Sequence, residues 1–354
     1  MKVGILTQHF HKNYGGILQN WALQQVLLQM GHDPLTFEHD TCYSRLRWLL
    51  RSAKQVCKRN SFASLPTYPY KGRVGHKPFI NFIVKNIRSV TVHTFTPEIE
   101  RRHKCGAFIV GSDQVWRPAF NLGRLYNMYL DFASNHVRKI SYAASFGVTE
   151  WEYTADETKR CRELAKQFDA ISVREDSAIS LCREYLGVKA KCVLDPTLLL
   201  NKEEYMSLCK DVVICNHFIF VYALHLNDKI LSFANELAIE KQLDVKVLLA
   251  GDALQPDDSI QQWIAMFRDA DYVVTDSFHG MAFSIIFNKT FYIFKNESGG
   301  VARYYSLLNM LGLDDRIVDD KVKSSPNDID WEIANKKLEE MKQKSLQFLK
   351  DSLS

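Results

Sequence analysis

Residues 271–294 read DYVVTDSFHGMAFSIIFNKTFYIF, and the order of their patterns decides the fold class. Tyr272–Thr275 is a short β-branched and aromatic run, as expected of a strand buried on both faces. Thr275, Asp276 and Ser277 break that run with helix-capping chemistry, and His279–Phe287 then follows helical spacing. Phe291–Phe294 is apolar again. Strand, helix and strand in this order form a βαβ unit, which implies a parallel sheet with helices on its faces.

The same alternation extends outward. Before it stand a strand at Phe218–Ala223, a helix at Lys229–Lys241, a strand at Val245–Ala250 and a helix at Ile260–Arg268. After it, Arg303–Leu311 is helical with no further strand expected, and Trp331–Leu349 is one long amphipathic helix. The first half has its own series. Val3–Thr7 is a strand, Gln8–Gly16 a polar loop, and Leu18 onward a helix stopped by Gly31. Strands follow at Ala107–Val110, Lys139–Ala144 and Ala170–Val173, then a helix at Asp176–Tyr185 and a short strand at Cys192–Leu194. The chain of 354 residues therefore reads as two doubly wound, Rossmann-like α/β domains facing a cleft. The expected division is residues 1–190, residues 191–325 and a helical tail, residues 326–354.

Composition is that of a globular protein, 46% hydrophobic and 24% charged. The formal charge of +4 names no partner, but it is unevenly spread. Residues 41–104 carry 14 Lys and Arg against only Glu98 and Glu100, a net +12 that leaves −8 elsewhere. Trp48, Phe62, Tyr68, Tyr70, Phe79 and Phe82 lie in this basic insertion, and Phe62–Pro78 reads as a long loop. Such a segment is a solvated face, or it meets an anionic membrane, a phosphate-bearing substrate or nucleic acid. It contains no nucleic-acid motif, so no nucleic-acid partner is expected.

The N-terminal apolar run of five residues is too short for a secretory h-region of roughly 7–15, and no stretch approaches the ~20 apolar residues of a spanning helix. Eight scattered Cys without any C-x-x-C imply a reduced, cytoplasmic setting. No metal site is expected, since no Cys/His group has ligand spacing and His9 with His11 is a weak pair.

In doubly wound sheets ligands gather where the carboxyl ends of strands open into loops. After the first strand come Asn13, Tyr14, Gly15 and Gly16, either a plain turn or a close backbone approach to a ligand. After Ala107–Val110 come Ser112, Asp113 and Gln114, which cap a helix or hold sugar hydroxyls, with Trp116 as packing or as a sugar platform. Arg174 follows the Ala170–Val173 strand. It pairs with acidic neighbours or presents its fork to a phosphate or carboxylate. Ser277 caps the helix that His279 opens, and a His there can exchange protons near neutral pH. Lys295 and Arg303 add positive charge to the same pocket or lie exposed.

Taken in order, Asn13-Tyr14-Gly15 with Leu18-Gln19 and Ala22-Leu23-Gln24, Gly111-Ser112-Asp113-Gln114-Val115-Trp116, Ser145-Phe146-Gly147, Ser172-Val173-Arg174-Glu175, Val193-Leu194-Asp195-Pro196-Thr197 and Thr275-Asp276-Ser277-Phe278-His279-Gly280 resemble the polysaccharide pyruvyl transferases. The resemblance spans residues 1 to about 313. It implies a GT-B-like pair of domains and transfer of a pyruvyl group from phosphoenolpyruvate onto two sugar hydroxyls. The products are a cyclic ketal and phosphate, and no metal or organic cofactor takes part. It implies that Arg174 and His279 act at the donor. Family members often carry Arg two residues before that His, where this chain has Ser277, so Lys295 or Arg303 is left to supply the cation. A lipid-linked acceptor would give Arg45, Arg47, Arg51, Lys54, Lys58 and Arg59 a role at an anionic inner membrane face. Two alternatives share the architecture: a glycosyltransferase using a nucleotide sugar, and a non-catalytic sugar- or anion-binding protein.

Overall fold

The computed structural model describes residues 1–10, 12–39, 76–121, 123–215, 217–295, 301–318 and 328–354. The six basic residues at 45–59, most of the Phe62–Pro78 stretch, and His11 lie outside them. Two wholly parallel sheets carry the fold.

The first sheet has seven strands: β1 (Lys2–Leu6), β2 (Asp33–His39), β3 (Ser89–Val92), β4 (Ala107–Val110), β5 (Arg138–Ala144), β6 (Ala170–Val173) and β7 (Lys191–Cys192). Their order is β3-β2-β1-β4-β5-β6-β7. The helices between them are α1 (Tyr14–Gln29), α2 (Lys77–Asn86), α3 (Glu98–His103), α4 (Ala155–Ala165) and α5 (Asp176–Leu181). After α6 (Lys202–Leu208) comes a second sheet of five strands, β8 (Phe218–Ala223), β9 (Asp244–Leu249), β10 (Tyr272–Thr275), β11 (Thr290–Phe294) and β12 (Ile317–Val318), in the order β12-β11-β10-β8-β9. Its helices are α7 (Asp228–Lys241), α8 (Ile260–Asp269), α9 (Phe278–Ile286) and α10 (Val301–Leu311). Helix α11 (Trp331–Leu353) closes the chain.

The two doubly wound domains expected from the sequence are present, with three strands added. β2 begins Asp33-Pro34 and mixes polar with apolar residues, and β3 is a four-residue edge strand, so neither has a continuous apolar run. β12 is two residues long and corrects the expectation that no strand follows Leu311. β7 pairs with β6, so the first sheet runs to Cys192, past residue 190. The helix from Asp176 ends at Leu181 and continues as a π-helical turn, Cys182–Leu186.

Helix α2 and β3 make part of the basic insertion integral to the first sheet. Phe79 and Phe82 are core residues there, because α2 turns its apolar face inward. Polar motif residues serve as struts. Gln24 Nε2 donates to Thr36 Oγ1 and to Arg88 O, each at 2.8 Å, while Arg88 N donates to Gln24 Oε1 at 3.0 Å. Gln24 thus ties α1 to β2 and to the approach to β3, with its buried amide satisfied.

One apolar cluster runs through both sheets, joining Val3, Ile5 and Ile109 of the first to Phe220, Val273 and Phe291 of the second. Helix α11 packs into the same cluster. Its Phe348 lies 6.3 Å from Tyr142 of β5, and Lys337 Nζ donates to Leu311 O of α10 at 3.2 Å. Among the described residues no helix is long and apolar enough to cross a membrane.

Leu349 of α11 is fully buried in this shared core. Leu349→Ala is expected to destabilise the protein by about 2–5 kcal/mol. Thermal melting should then show one earlier transition, and an unchanged melting temperature would mean that α11 is not structurally required.

Candidate functional site

A doubly wound sheet opens a crevice where its strand order reverses. In the first sheet the reversal lies between β1 and β4, so the loops after Leu6 and Val110 line it. In the second it lies between β8 and β10. The buried Asp276 bridges that reversal: its carboxylate accepts from Leu224 N at 2.6 Å and from His225 N at 2.9 Å. The two reversals meet at His279.

His279 heads α9 behind the cap Ser277, whose Oγ accepts from Gly280 N at 3.3 Å. Its ring lies on Gly15, in the first turn of α1. A Cβ at Gly15 would stand 2.0 Å from His279 Nδ1, so the imidazole needs glycine there. Nε2, buried and without a hydrogen bond, faces Asp195 Oδ2 at 3.8 Å.

Asp195 follows the last strand of the first sheet and is buried. Its Oδ2 accepts from Arg174 Nη1 at 2.6 Å and from Ser112 Oγ at 2.9 Å. Its Oδ1 accepts from Thr197 N at 3.0 Å and Thr197 Oγ1 at 2.8 Å. Burial opposes ionisation, but the His279 imidazole and the Arg174 guanidinium hold this carboxyl well below the ordinary carboxylate range.

Two buried guanidiniums share one aromatic ring. Arg174 lies 4.6 Å and Arg303 5.8 Å from the centroid of Phe278. Arg174 is held by Asp195 and stands 3.5 Å from Asp113 Oδ1, and its Nε and Nη2 make no hydrogen bond. Burial works against its charge, yet Asp195, Asp113 and Glu175 raise its pKa above the usual value. Arg303 differs. Burial and the neighbouring Arg174 push its pKa down, and its Nε has no partner. Two cations packed this way form a pocket suited to an anion with more than one charge.

Glu175 stands behind this pair. Its Oε1 accepts from Ser145 Oγ and Phe146 N, both at 3.0 Å. Burial raises its carboxyl pKa, against the pull of Arg174 and Arg303. Asp113 and Gln114 are half-buried at the crevice, with Gln114 N donating to Asp113 Oδ1 at 2.8 Å. Asn13 caps α1, accepting from Gly16 N at 3.2 Å.

Other residues singled out from the sequence lie elsewhere. Tyr14 is fully buried, stacked on Trp263 at 5.3 Å and edge-on to Tyr222 at 5.7 Å. It joins the core between the sheets, and its hydroxyl pKa is raised by burial. Lys295 is exposed and contacts the ring of Tyr305, 5.9 Å away. Trp116 is packing, stacked on Tyr129 at 5.0 Å with its indole N–H donating to Met128 O.

Sequence reading did not single out Asp195 or Phe278 as site residues. An Asp immediately before Pro at the end of a strand was visible, but it reads as a boundary turn. Nothing in the pattern separates Phe278 from ordinary helix core.

Residues 13–298 match the family polysaccharide pyruvyl transferase. No curated protein matches the chain. Among solved structures, the UDP-GlcNAc 2-epimerase from Neisseria meningitidis bound to UDP-GlcNAc is similar at 10% identity and a TM-score of 0.50, over 100% of this chain and 99% of that one. The UDP-N-acetylglucosamine 2-epimerase from Rickettsia bellii is 10% identical with a TM-score of 0.48, over 99% and 96% of the two chains. The wall teichoic acid polymerase TagF is 9% identical with a TM-score of 0.43, over 99% and 82%. At 10% identity the likeness to the Neisseria epimerase is one of fold alone, the GT-B-like pair of parallel-sheet domains described above.

Burying a charge without full compensation is costly, and Arg303 lies beside a second cation with its Nε unpartnered. Arg303→Met is therefore expected to leave the melting temperature of the ligand-free protein unchanged or higher. A fall of several degrees would show that Arg303 stabilises the fold.

Proposed function

The chain belongs to the polysaccharide pyruvyl transferases and is a transferase; from that premise we propose that it moves the pyruvyl group of phosphoenolpyruvate onto two hydroxyls of a saccharide. The observation that carries this reading is the pair of buried guanidiniums, Arg174 and Arg303, sharing Phe278 beside His279. Phosphoenolpyruvate brings a phosphate and a carboxylate on one small frame. Two forks with unpartnered nitrogens fit two anionic groups, and the head of α9 adds its partial positive charge. In this reading Arg303 supplies the donor cation that Ser277 does not, and the exposed Lys295 does not take part.

The reaction needs a proton delivered to C3, an oxocarbenium-like C2 and two hydroxyls deprotonated in turn. One hydroxyl oxygen bonds to C2 as C3 becomes a methyl group. The second then attacks C2 and the C2–oxygen bond to phosphate breaks. Of the two hydroxyl protons, one balances that gained at C3 and the other leaves with phosphate. His279 is the proton carrier in these steps. Arg174 and Arg303 stabilise the charge gathering on the departing phosphate. Asp113, Gln114 and Asn13 line the acceptor side, where half-buried carboxylate and amide groups suit sugar hydroxyls, while Ser112 is fully buried and turns its hydroxyl to Asp195 and Ala143 O. No metal or organic cofactor enters the scheme.

The acceptor is a surface polysaccharide or its lipid-linked precursor on the cytoplasmic side, with Arg45, Arg47, Arg51, Lys54, Lys58 and Arg59 resting on anionic lipid. Flotation with vesicles containing anionic phospholipid should recover the protein, and neutralising these six residues should abolish recovery. Binding that is indifferent to both removes the membrane contact.

A ligand at 100 times its Kd stabilises by about 2.7 kcal/mol, so phosphoenolpyruvate should raise the melting temperature where UDP-GlcNAc does not. The opposite pattern would favour a nucleotide-sugar transferase. His279→Ala should lower turnover by ~10²–10⁴ with the fold intact, read as phosphate release and pyruvyl mass on the glycan. Near-full turnover would remove His279 from the mechanism.

A further inference from the structure

The carboxylate between the two sheets meets both residues assigned to the chemistry and is itself shut off from solvent. Oδ2 of Asp195 receives Arg174 Nη1 at 2.6 Å and faces His279 Nε2 at 3.8 Å. The backbone carrying it is fixed from outside the site. Leu194 N donates to Ser345 Oγ of α11 at 3.0 Å, and Tyr142 Oη donates to Leu194 O at 3.0 Å. Thr197 fills the other carboxylate oxygen with two hydrogen bonds. The carboxylate therefore has one oxygen committed to structure and one turned toward Arg174 and His279.

We propose that Asp195 is a positioning residue: Oδ2 selects the Nε2–H tautomer of His279, leaving Nδ1, over Gly15 at the head of α1, to exchange the proton, while it orients the Arg174 fork. The inference rests on the pyruvyl-transfer reading of the site. The geometry supports it in two ways. A neutral imidazole puts its N–H toward an adjacent carboxylate, because the carboxylate only accepts. Gly15 lets the imidazole close onto the head of α1, which fixes the ring with Nε2 toward Asp195 and Nδ1 on the α1 side. Holding a ring from one nitrogen so that the other reacts is the task a buried Asp performs for a catalytic His in hydrolase triads, where the Asp→Asn change costs about 10⁴ in turnover.

The first test uses the wild-type protein. With ¹⁵N-labelled histidine at about pH 9, where free imidazole is neutral, the His279 signals are assigned by their loss in His279→Gln. The Nε2–H pattern is expected, and the Nδ1–H pattern overturns the proposal. The second compares Asp195→Asn with Thr197→Val, which removes only a structural hydroxyl. Asp195→Asn should lower kcat by about 10²–10⁴ and shift His279 toward a tautomer mixture. Thr197→Val should stay within a few-fold while melting earlier. Equal losses of kcat in the two variants, or a normal kcat in Asp195→Asn, would reduce Asp195 to a structural residue. If Asp195→Asn does not fold, the wild-type tautomer decides. A wild-type protein that transfers no pyruvyl group fails the functional reading and leaves the tautomer result standing. Active wild type with inactive His279→Ala and an Nδ1–H ring fails this inference alone.

Discussion

Taking a carboxylate out of water costs several kcal/mol unless charge and hydrogen bonds replace the solvent. Asp195 meets that cost with Arg174, Ser112 and Thr197 around its two oxygens, and His279 close by. Arg174 in turn is buried only because Asp195 and Asp113 sit beside it. Removing either partner strands the other. The ion pair therefore fixes the end of the first sheet, the crossing segment into the second, and the placement of the site cation in one step.

That bond matters because of where it lies. Each sheet reverses its strand order once, and each reversal produces a crevice at the carboxyl ends of its strands. The first contributes Gly15 and the Ser112–Asp113 pair, the second the loops tied by Asp276 and the head of α9. Asp195 stands on the passage from one sheet to the other. Arg174 and Asp195 come from the first half and His279 and Arg303 from the second, so the buried charges come together only where the halves meet.

Much of this was legible in the residue pattern, for identifiable reasons. Strands buried on both faces, such as β4 and β8, appear as unbroken apolar runs, and the loops at their ends announce themselves by polarity. Arg174 and His279 were visible because one follows a strand directly and the other heads the helix after such a loop. β2 was hidden by Pro34 and by its mixed face, and β3 by its length. Tyr14 lies beside the glycines of the first loop, yet only packing decides whether such a ring turns to a ligand or to Trp263. The difference between Arg303 and Lys295 is likewise invisible in sequence. Both follow a strand that points at the site, and only the path of α10 brings Arg303 against Phe278. Asp195 was masked by its neighbour, since Asp-Pro reads as a turn.

The apolar cluster that runs through both sheets bears on how such a protein can diversify. Swapping one half for that of a relative would be a direct way to change one substrate and keep the other. Here the seam between halves is not a linker but a packed interior, crossed by Tyr14 among Trp263, Tyr222 and Phe79 and strapped by α11. A recombined chain would inherit mismatched volumes at that seam, where even a methylene is felt. Changes of specificity are therefore more accessible through loop substitutions at the rim of the crevice than through exchange of modules.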